Sequence, residues 1–431
     1  MAPTEVIPIE RFTADQVLAP YVYVFYAAFL LAFVFTPVMR SVAVYYGIVD
    51  RPDEQRKLHK TPIAYLGGVA MFLGWIGGLA FSRLTALHYN PLVDQWLHVA
   101  VPRNIVVAAF IIVGLGLWDD LRSVNPKIKV LGQVAAACML LLAGIGVNST
   151  RPLLNPIDVR LIEWYHTSLP GWVYAWTGSC LTIALVVFCC NATNLMDGLD
   201  GLAGGVTAII AAGFLFLAVY MGMVSGPENA STSALRIVLA IALLGAVLGF
   251  LPYNFNPASI FMGDTGSMFL GFACALMIVM MAELDTRWLL ASMVMFALPV
   301  LDTSLAFARR WVNRRPVFSA DRFHFHHQLV MRGLTVRKTV IVSYVLSIGF
   351  ALLGSAIVFM RTRYAGAIYL VVFGSIIVAA YKMGMVHEKP QVVTRRPLGA
   401  AENEPPASVE SGAVLELRSE GAQKRGNGDE G

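Results

Sequence analysis

The chain has 431 residues, 57% of them hydrophobic and 14% charged, with a mean hydropathy of +0.66. A soluble domain carries roughly 25% charged residues, so this composition excludes a water-soluble globule and asks for lipid as solvent. The formal charge of +5 is modest and comes from clustered Lys and Arg, which orient the chain in a membrane and give no reason to expect nucleic acid as a partner.

Residues 1–20 hold Glu5, Glu10 and Asp15 and no apolar core, so they do not read as a cleaved signal peptide. Apolar stretches long enough to approach a span follow at 21–40, 63–82, 103–118, 128–147, 173–190, 203–223, 236–251, 266–282, 288–308, 339–360 and 364–384. They are continuous, where a β-barrel strand would alternate, so helices are expected. The predicted fold is an all-α integral membrane protein of about eleven transmembrane helices. Its core domain would cover 21–384, after an extracytoplasmic segment 1–20. Residues 385–431, rich in Glu, Gly, Pro and Ser, read as a disordered cytosolic tail. Cys138, Cys180, Cys189, Cys190 and Cys274 all lie in apolar runs and read as small reduced hydrophobes.

The connecting loops fall into two alternating sets. Loop 41–62 carries Arg51, Arg56, Lys57 and Lys60, and loop 309–338 carries seven arginines and one lysine, whereas the other set has only scattered cations such as Arg83, Arg151, Arg160 and Arg287. The positive-inside rule places the first set, and with it the C-terminus, in the cytosol and the N-terminus outside.

The polar clusters all fall on that predicted cytosolic side. Loop 50–62 ends in Gly67-Gly68 and includes Lys57 and His59; it suits a diphosphate, or it is simply the basic loop that sets topology. Asp119-Asp120 follows the third span, and two adjacent carboxylates repel unless something positive binds; an ordinary solvated loop start is the bland alternative. Lys129 at the mouth of the next stretch reaches a phosphate or snorkels to headgroups. Asn191, Asn194, Asp197 and Asp200 recur every three residues among glycines. A helical turn would line them along one face as hard oxygen ligands for Mg²⁺ or Mn²⁺, although Asn, Asp and Gly also make plain turns. The acidic spacing excludes an EF-hand. In the stretch 254–267, Asp264 stands between glycines as the single acid, a metal ligand or an N-cap, while Phe255 and Phe261 offer rings to a nucleobase or to the membrane interface.

Three of the eight histidines, His324, His326 and His327, follow Arg314 and Arg315. Their spacing is not that of a zincin, and Arg with His suits an anionic substrate through charge-assisted hydrogen bonds. Asp302 and Pro299 near the end of the ninth stretch predict an ionisable group at membrane depth and a bent helix, which could shape a groove for an isoprenoid. An ion-coupled transporter is the rival class. It would carry internal repeats and charges at the bilayer midplane, neither of which this sequence displays.

Taken in series, DRPDEQRKLHKTPIAYLGG, WDD with a downstream lysine, NATNLMDGLDGLAGG, NPASIFMGDTGS and DRFHFHH resemble the polyprenyl-phosphate N-acetylhexosamine-1-phosphate transferase family. The resemblance spans residues 40 to 340 or so and implies Mg²⁺-dependent transfer of a HexNAc-1-phosphate from a UDP-sugar to polyprenyl (undecaprenyl) phosphate, with UMP released at the inner face of a bacterial cytoplasmic membrane. It implies catalytic roles for Asp119, Asp120, Asp197 and Asp200 and metal ligation by Asp264 and Asn194. Substrate contacts are implied for Lys129, Asn191, Phe261, Arg315, His324, His326, His327, Lys57 and His59. A homodimer is compatible with it. The histidine pattern is similar to the N-acetylglucosamine branch, with the phospho-N-acetylmuramoyl-pentapeptide transferases as the alternative.

Overall fold

A computed structural model describes residues 12–50, 62–86, 101–224, 230–314 and 324–382. Lys57, His59, Arg315 and the expected tail 385–431 lie outside these residues, as does most of the segment 1–20.

The helices are α1 (Ala14–Leu18), α2 (Val22–Tyr45), α3 (Gly67–Ala86), α4 (Arg103–Leu121), α5 (Pro126–Leu142), α6 (Arg151–Tyr165), α7 (Gly171–Met196), α8 (Leu202–Val224), α9 (Ala230–Asn254), α10 (Gly263–Ala282), α11 (Thr286–Met295), α12 (Ala297–Val312), α13 (Phe325–Met331), α14 (Val336–Ile357) and α15 (Thr362–Lys382). Among the described residues, every apolar stretch picked out in the sequence is helical over most of its length. Among the described residues eight helices are long and apolar enough to cross a membrane, or nine with the bent pair α11–α12 counted as one span. The expected number was higher: α5, at 17 residues, is short, and of α15 only Thr362–Val378 counts among the described residues. α5 stops early because Gly144 (φ 77°) and Gly146 (φ 89°) turn the chain left-handed, a conformation that glycine adopts without steric cost.

α11 and α12 meet at 74°. Pro299 accounts for the position of the break. Its ring occupies the space of the carbonyl four residues back, that of Met295, and α11 ends at Met295. α6 was not expected, since its stretch was read as loop; it contains Pro156 and buries none of its side chains.

α10 is the axis of the bundle. Every residue of it except Asp264 is buried, and it packs against α3, α4, α7, α8, α9 and α11. Its first turn is gripped at two glycines. A β-carbon at Gly68 would lie 2.2 Å from the Gly266 nitrogen, and one at Gly116 would lie 2.4 Å from the Thr265 Cα. Only glycine lets α3 and α4 approach that closely.

A small β-ladder, also unexpected, fixes the loop before α10. β1 (Val49–Asp50) pairs antiparallel with β2 (Ile63–Ala64), and the Phe261 N–H donates to the Ala64 carbonyl at 2.8 Å. Gly67 and Gly68 return hydrogen bonds to the carbonyls of Phe261 and Met262, each at 3.0 Å. The starts of α3 and α10 are thereby one unit.

Candidate functional site

Five separate segments meet at one end of the bundle: the ends of α4 and α7, the starts of α5 and α10, and α13. α4 and α5 are joined by a four-residue turn, 122–125. Asn125 caps α5, its side chain accepting from the Lys127 N–H, so Lys129 emerges one turn in. Its ammonium group bonds to a carboxylate oxygen of Asp119 and, at 2.7 Å, to Asp264 Oδ2. The Asp119 carboxylate also accepts from the Val124 N–H at 2.7 Å. Asn194, near the end of α7, donates from Nδ2 to Asp264 Oδ1 and to Ser267 Oγ, both at 2.9 Å.

Asp120 is spent differently. It accepts from the Asp264 N–H at 2.7 Å, from the Thr265 N–H at 3.0 Å and from the Thr265 hydroxyl at 2.6 Å. It sits on the free amides of a helix N-terminus, where negative charge is stabilised.

Asp197, the C-cap of α7, is half-buried and makes no side-chain hydrogen bond or ion pair among the described residues. Its carboxyl is pushed up to about 8 by burial first, then by the negative charges of Asp264, Asp120 and Asp200. A carboxylate in that setting calls for a cation. Among the described residues no three His, Cys, Asp or Glu side chains are grouped to hold a metal by themselves. A divalent ion here would therefore draw on the amide oxygen of Asn194 or on substrate phosphates to complete its shell, as Mg²⁺ commonly does. The unpaired Asp197 with Asp264 beside it fits such an ion.

The histidines reach the same place from another direction. Asp302, buried in α12, accepts from His324 Nδ1 at 3.1 Å and from the Phe325 N–H at 2.7 Å, which sets the start of α13. His326 stacks on His324 with ring centres 5.7 Å apart, and His327 lies 4.4 Å from His326. A β-carbon at Gly198 would stand 2.4 Å from His326 Nε2 and 3.2 Å from His327 Nε2, so both rings press on the residue next to Asp197. His326 Nε2 is buried without a hydrogen-bond partner. Burial, with the neighbouring histidines adding to it against the pull of Asp302, lowers His326 to about 3. This setting favours the neutral imidazole, which can still donate a hydrogen bond to an anionic oxygen.

Two expected members stand apart from this core. Asn191 donates to Gln133 Oε1 at 2.8 Å and to the Val187 carbonyl at 2.7 Å, one layer below Lys129. Asp200 accepts from Asn256 Nδ2 and the Ala258 N–H, both at 3.0 Å, and so holds the loop that leads to α10. Phe261 is half-buried at the rim, its ring 6.0 Å from that of Tyr65.

Sequence reading missed Tyr65 and gave Asp302 no role at this site. The Tyr65 phenol is held above its ordinary range, by burial first and then by Asp50, Asp120 and Asp264, which leaves a neutral hydroxyl beside the acids. Its signal was a lone aromatic before Gly67-Gly68. For Asp302 the signal was an acid in an apolar stretch.

Residues 103–282 match the model of a family described as glycosyl transferase family 4. A probable undecaprenyl-phosphate N-acetylglucosaminyl 1-phosphate transferase of Bacillus subtilis is 31% identical over 88% of this chain and 97% of its own length. A decaprenyl-phosphate N-acetylglucosaminephosphotransferase of Mycobacterium tuberculosis is 33% identical over 82% of this chain and 85% of its own. A phospho-N-acetylmuramoyl-pentapeptide-transferase of Corynebacterium kroppenstedtii is 29% identical over 76% of this chain and 94% of its own.

Proposed function

This chain belongs to glycosyl transferase family 4 and is a phosphoglycosyltransferase, and we propose that it moves N-acetylglucosamine-1-phosphate from UDP-N-acetylglucosamine to polyprenyl phosphate and releases UMP. The two relatives named for N-acetylglucosamine transfer share more of the chain than the pentapeptide transferase does, which favours that sugar. The observation that carries the reading is the unpaired, half-buried Asp197 set among Asp120, Asp264 and the Lys129 bridge. A diphosphate donor needs such a place, where anions meet through a cation.

The donor diphosphate lies across the mouth formed by α5, α7 and α10. Asp197 and Asp264, with Asn194, hold Mg²⁺, which when bound neutralises charge gathering on the departing UMP. Lys129 contributes a fixed positive charge on the same side. An oxygen of the polyprenyl phosphate attacks the phosphorus next to the sugar. The new P–O bond forms as the bond from that phosphorus to the bridging oxygen breaks, and the electron pair leaves with UMP. Asp119 takes the last proton of the acceptor phosphate. It is the freer of the adjacent acids, because Asp120 is engaged by three donors. His326 and His327 hydrogen-bond the sugar or its phosphate, positioned through His324 by Asp302. The reaction needs mainly positioning and charge stabilisation. We read the basic loops as turning this end of the bundle toward the cytosol of a bacterial inner membrane.

Purified protein in nanodiscs, given Mg²⁺, polyprenyl phosphate and a panel of UDP-sugars, tests this. UMP formation that requires both lipid and UDP-N-acetylglucosamine supports it. UMP only with UDP-N-acetylmuramoyl-pentapeptide would transfer the chain to the other branch, and ion flux without UMP would favour a transporter.

A further inference from the structure

α6 sits at the end of the bundle opposite the candidate site, between α5, which leaves that site, and α7, which returns to it. Asp158 is turned inward: its Oδ1 accepts from the Leu169 N–H at 2.6 Å, and it also accepts from the Tyr174 hydroxyl. Thr150, just before the helix, bonds Thr177 Oγ1 at 2.7 Å. Arg151, Asn155 and Asp158 fall on one face by helical spacing.

An adjoining stripe, Leu153, Leu154, Ile157, Leu161, Trp164 and Tyr165, spans about a third of the circumference at 100° per residue, and none of its side chains is buried. Ile157 is 52% exposed and Trp164 and Tyr165 are each 68% exposed. Trp172 and Trp176, at the start of the α7 span, are 66% and 70% exposed and continue the aromatic surface. Trp and Tyr gathered at one end of a span mark a headgroup layer.

Between the polar face of α6 and the start of α7 lies a cavity of about 320 Å³ lined by Asn148, Arg151, Asn155, Asp158, Ser168 and Tyr174, among others. Asp158 is already committed to Leu169 and Tyr174, so Arg151 is the charge this cavity offers, with amide and hydroxyl donors around it. Arg151 lies 5.9 Å from the Tyr174 ring centre, at the rim where α6 begins.

We propose that α6 is an interfacial helix of the leaflet opposite the candidate site, its apolar stripe at the headgroup–acyl boundary, and that the adjoining cavity seats the phosphate of a phospholipid headgroup against Arg151. The lipid anchors the loop between α5 and α7 from outside. This role is independent of the transfer reaction.

The test uses the full chain in nanodiscs containing phosphatidylethanolamine with a photoreactive diazirine on its headgroup or, separately, within its acyl chain, followed by peptide mapping. The headgroup probe is expected on residues 148–158 and 168–174, and the acyl probe on 153–165. The exposed α14 residues Val345 and Leu352 serve as the acyl-probe control. Arg151→Ala should lower headgroup labelling about tenfold, the size of losing one charge-assisted hydrogen bond, and leave α14 labelling unchanged; Arg151→Lys should restore much of it. Ile157→Glu should lower acyl labelling of α6 alone. If α6 stays unlabelled by both probes while α14 is labelled, the proposal fails. The wild-type pattern decides the matter even if a variant misfolds.

Discussion

Replacing Lys129 with Met removes the cation between Asp119 and Asp264 while keeping the length of the side chain. The Asp264 contact is 2.7 Å, and the three side chains are 11% to 30% exposed. At an effective dielectric near 20, one such contact carries on the order of 6 kcal/mol of Coulomb energy. Desolvation offsets much of that, and removing one partner of a mostly buried pair costs about 3 kcal/mol net. The loss should appear twice. Metal-free protein should melt lower, and turnover should fall about 10²- to 10³-fold, as when one charged stabiliser of a transition state is deleted. A third effect has the opposite sign. With Lys129 gone, Asp119 and Asp264 are uncompensated, so Mg²⁺ should bind more tightly to Lys129→Met than to the parent. UMP release and isothermal titration with Mg²⁺ read these quantities. Turnover within threefold of the parent, or weaker Mg²⁺ binding, would refute the view that Lys129 neutralises the charge of the acidic cluster.

Other outcomes follow from the same geometry. Asp302→Ala and His324→Ala should each lower kcat about 10- to 100-fold, and the double variant should lose no more than the worse single one, because the pair acts as a unit; additive losses would separate them. Gly198→Ala puts a methyl 2.4 Å from His326 Nε2 and should lower activity with little change in melting temperature; an active variant would mean that the histidines do not work from that position. The pH dependence is set by Asp197. Its folded value of about 8 lies above the ordinary 3.9 or so, so its contribution to stability is full below about pH 4 and lost as pH rises through 8. A divalent ion selects the ionised form. The rise in melting temperature caused by Mg²⁺ should therefore grow from about pH 6 to about pH 8, and an equal rise at both would remove Asp197 from the metal site.

Much of this could be read before any coordinates. Apolar runs longer than about 17 residues have one outcome in lipid, so the helices and the grouping of Asp119, Asp197 and Asp264 at one end were accessible from hydropathy and loop charge. What side chains do within the cluster was not. A three-residue spacing puts Asn191 and Asn194 on one face, but only the facing α5 decides that Asn191 turns to Gln133 while Asn194 turns to Asp264. Asp119 and Asp120 are neighbours in sequence, yet one meets Lys129 and the other meets the amides of α10. Residues 144 positions apart set that difference, and no local pattern encodes it. α6 was hidden by its prolines, which suggest a loop, and because it packs almost nothing. Pro299 was legible as a bend, though its exact consequence, a break after Met295, depends on the carbonyl it displaces.

The most direct measurement follows the fate of one phosphorus atom. With UDP-N-acetylglucosamine carrying ³²P in the phosphate next to the sugar, the account predicts label in the lipid fraction and unlabelled UMP in equal amount. Label retained in UDP, with unlabelled sugar on the lipid, would contradict it, because the bond broken would then be the glycosidic one.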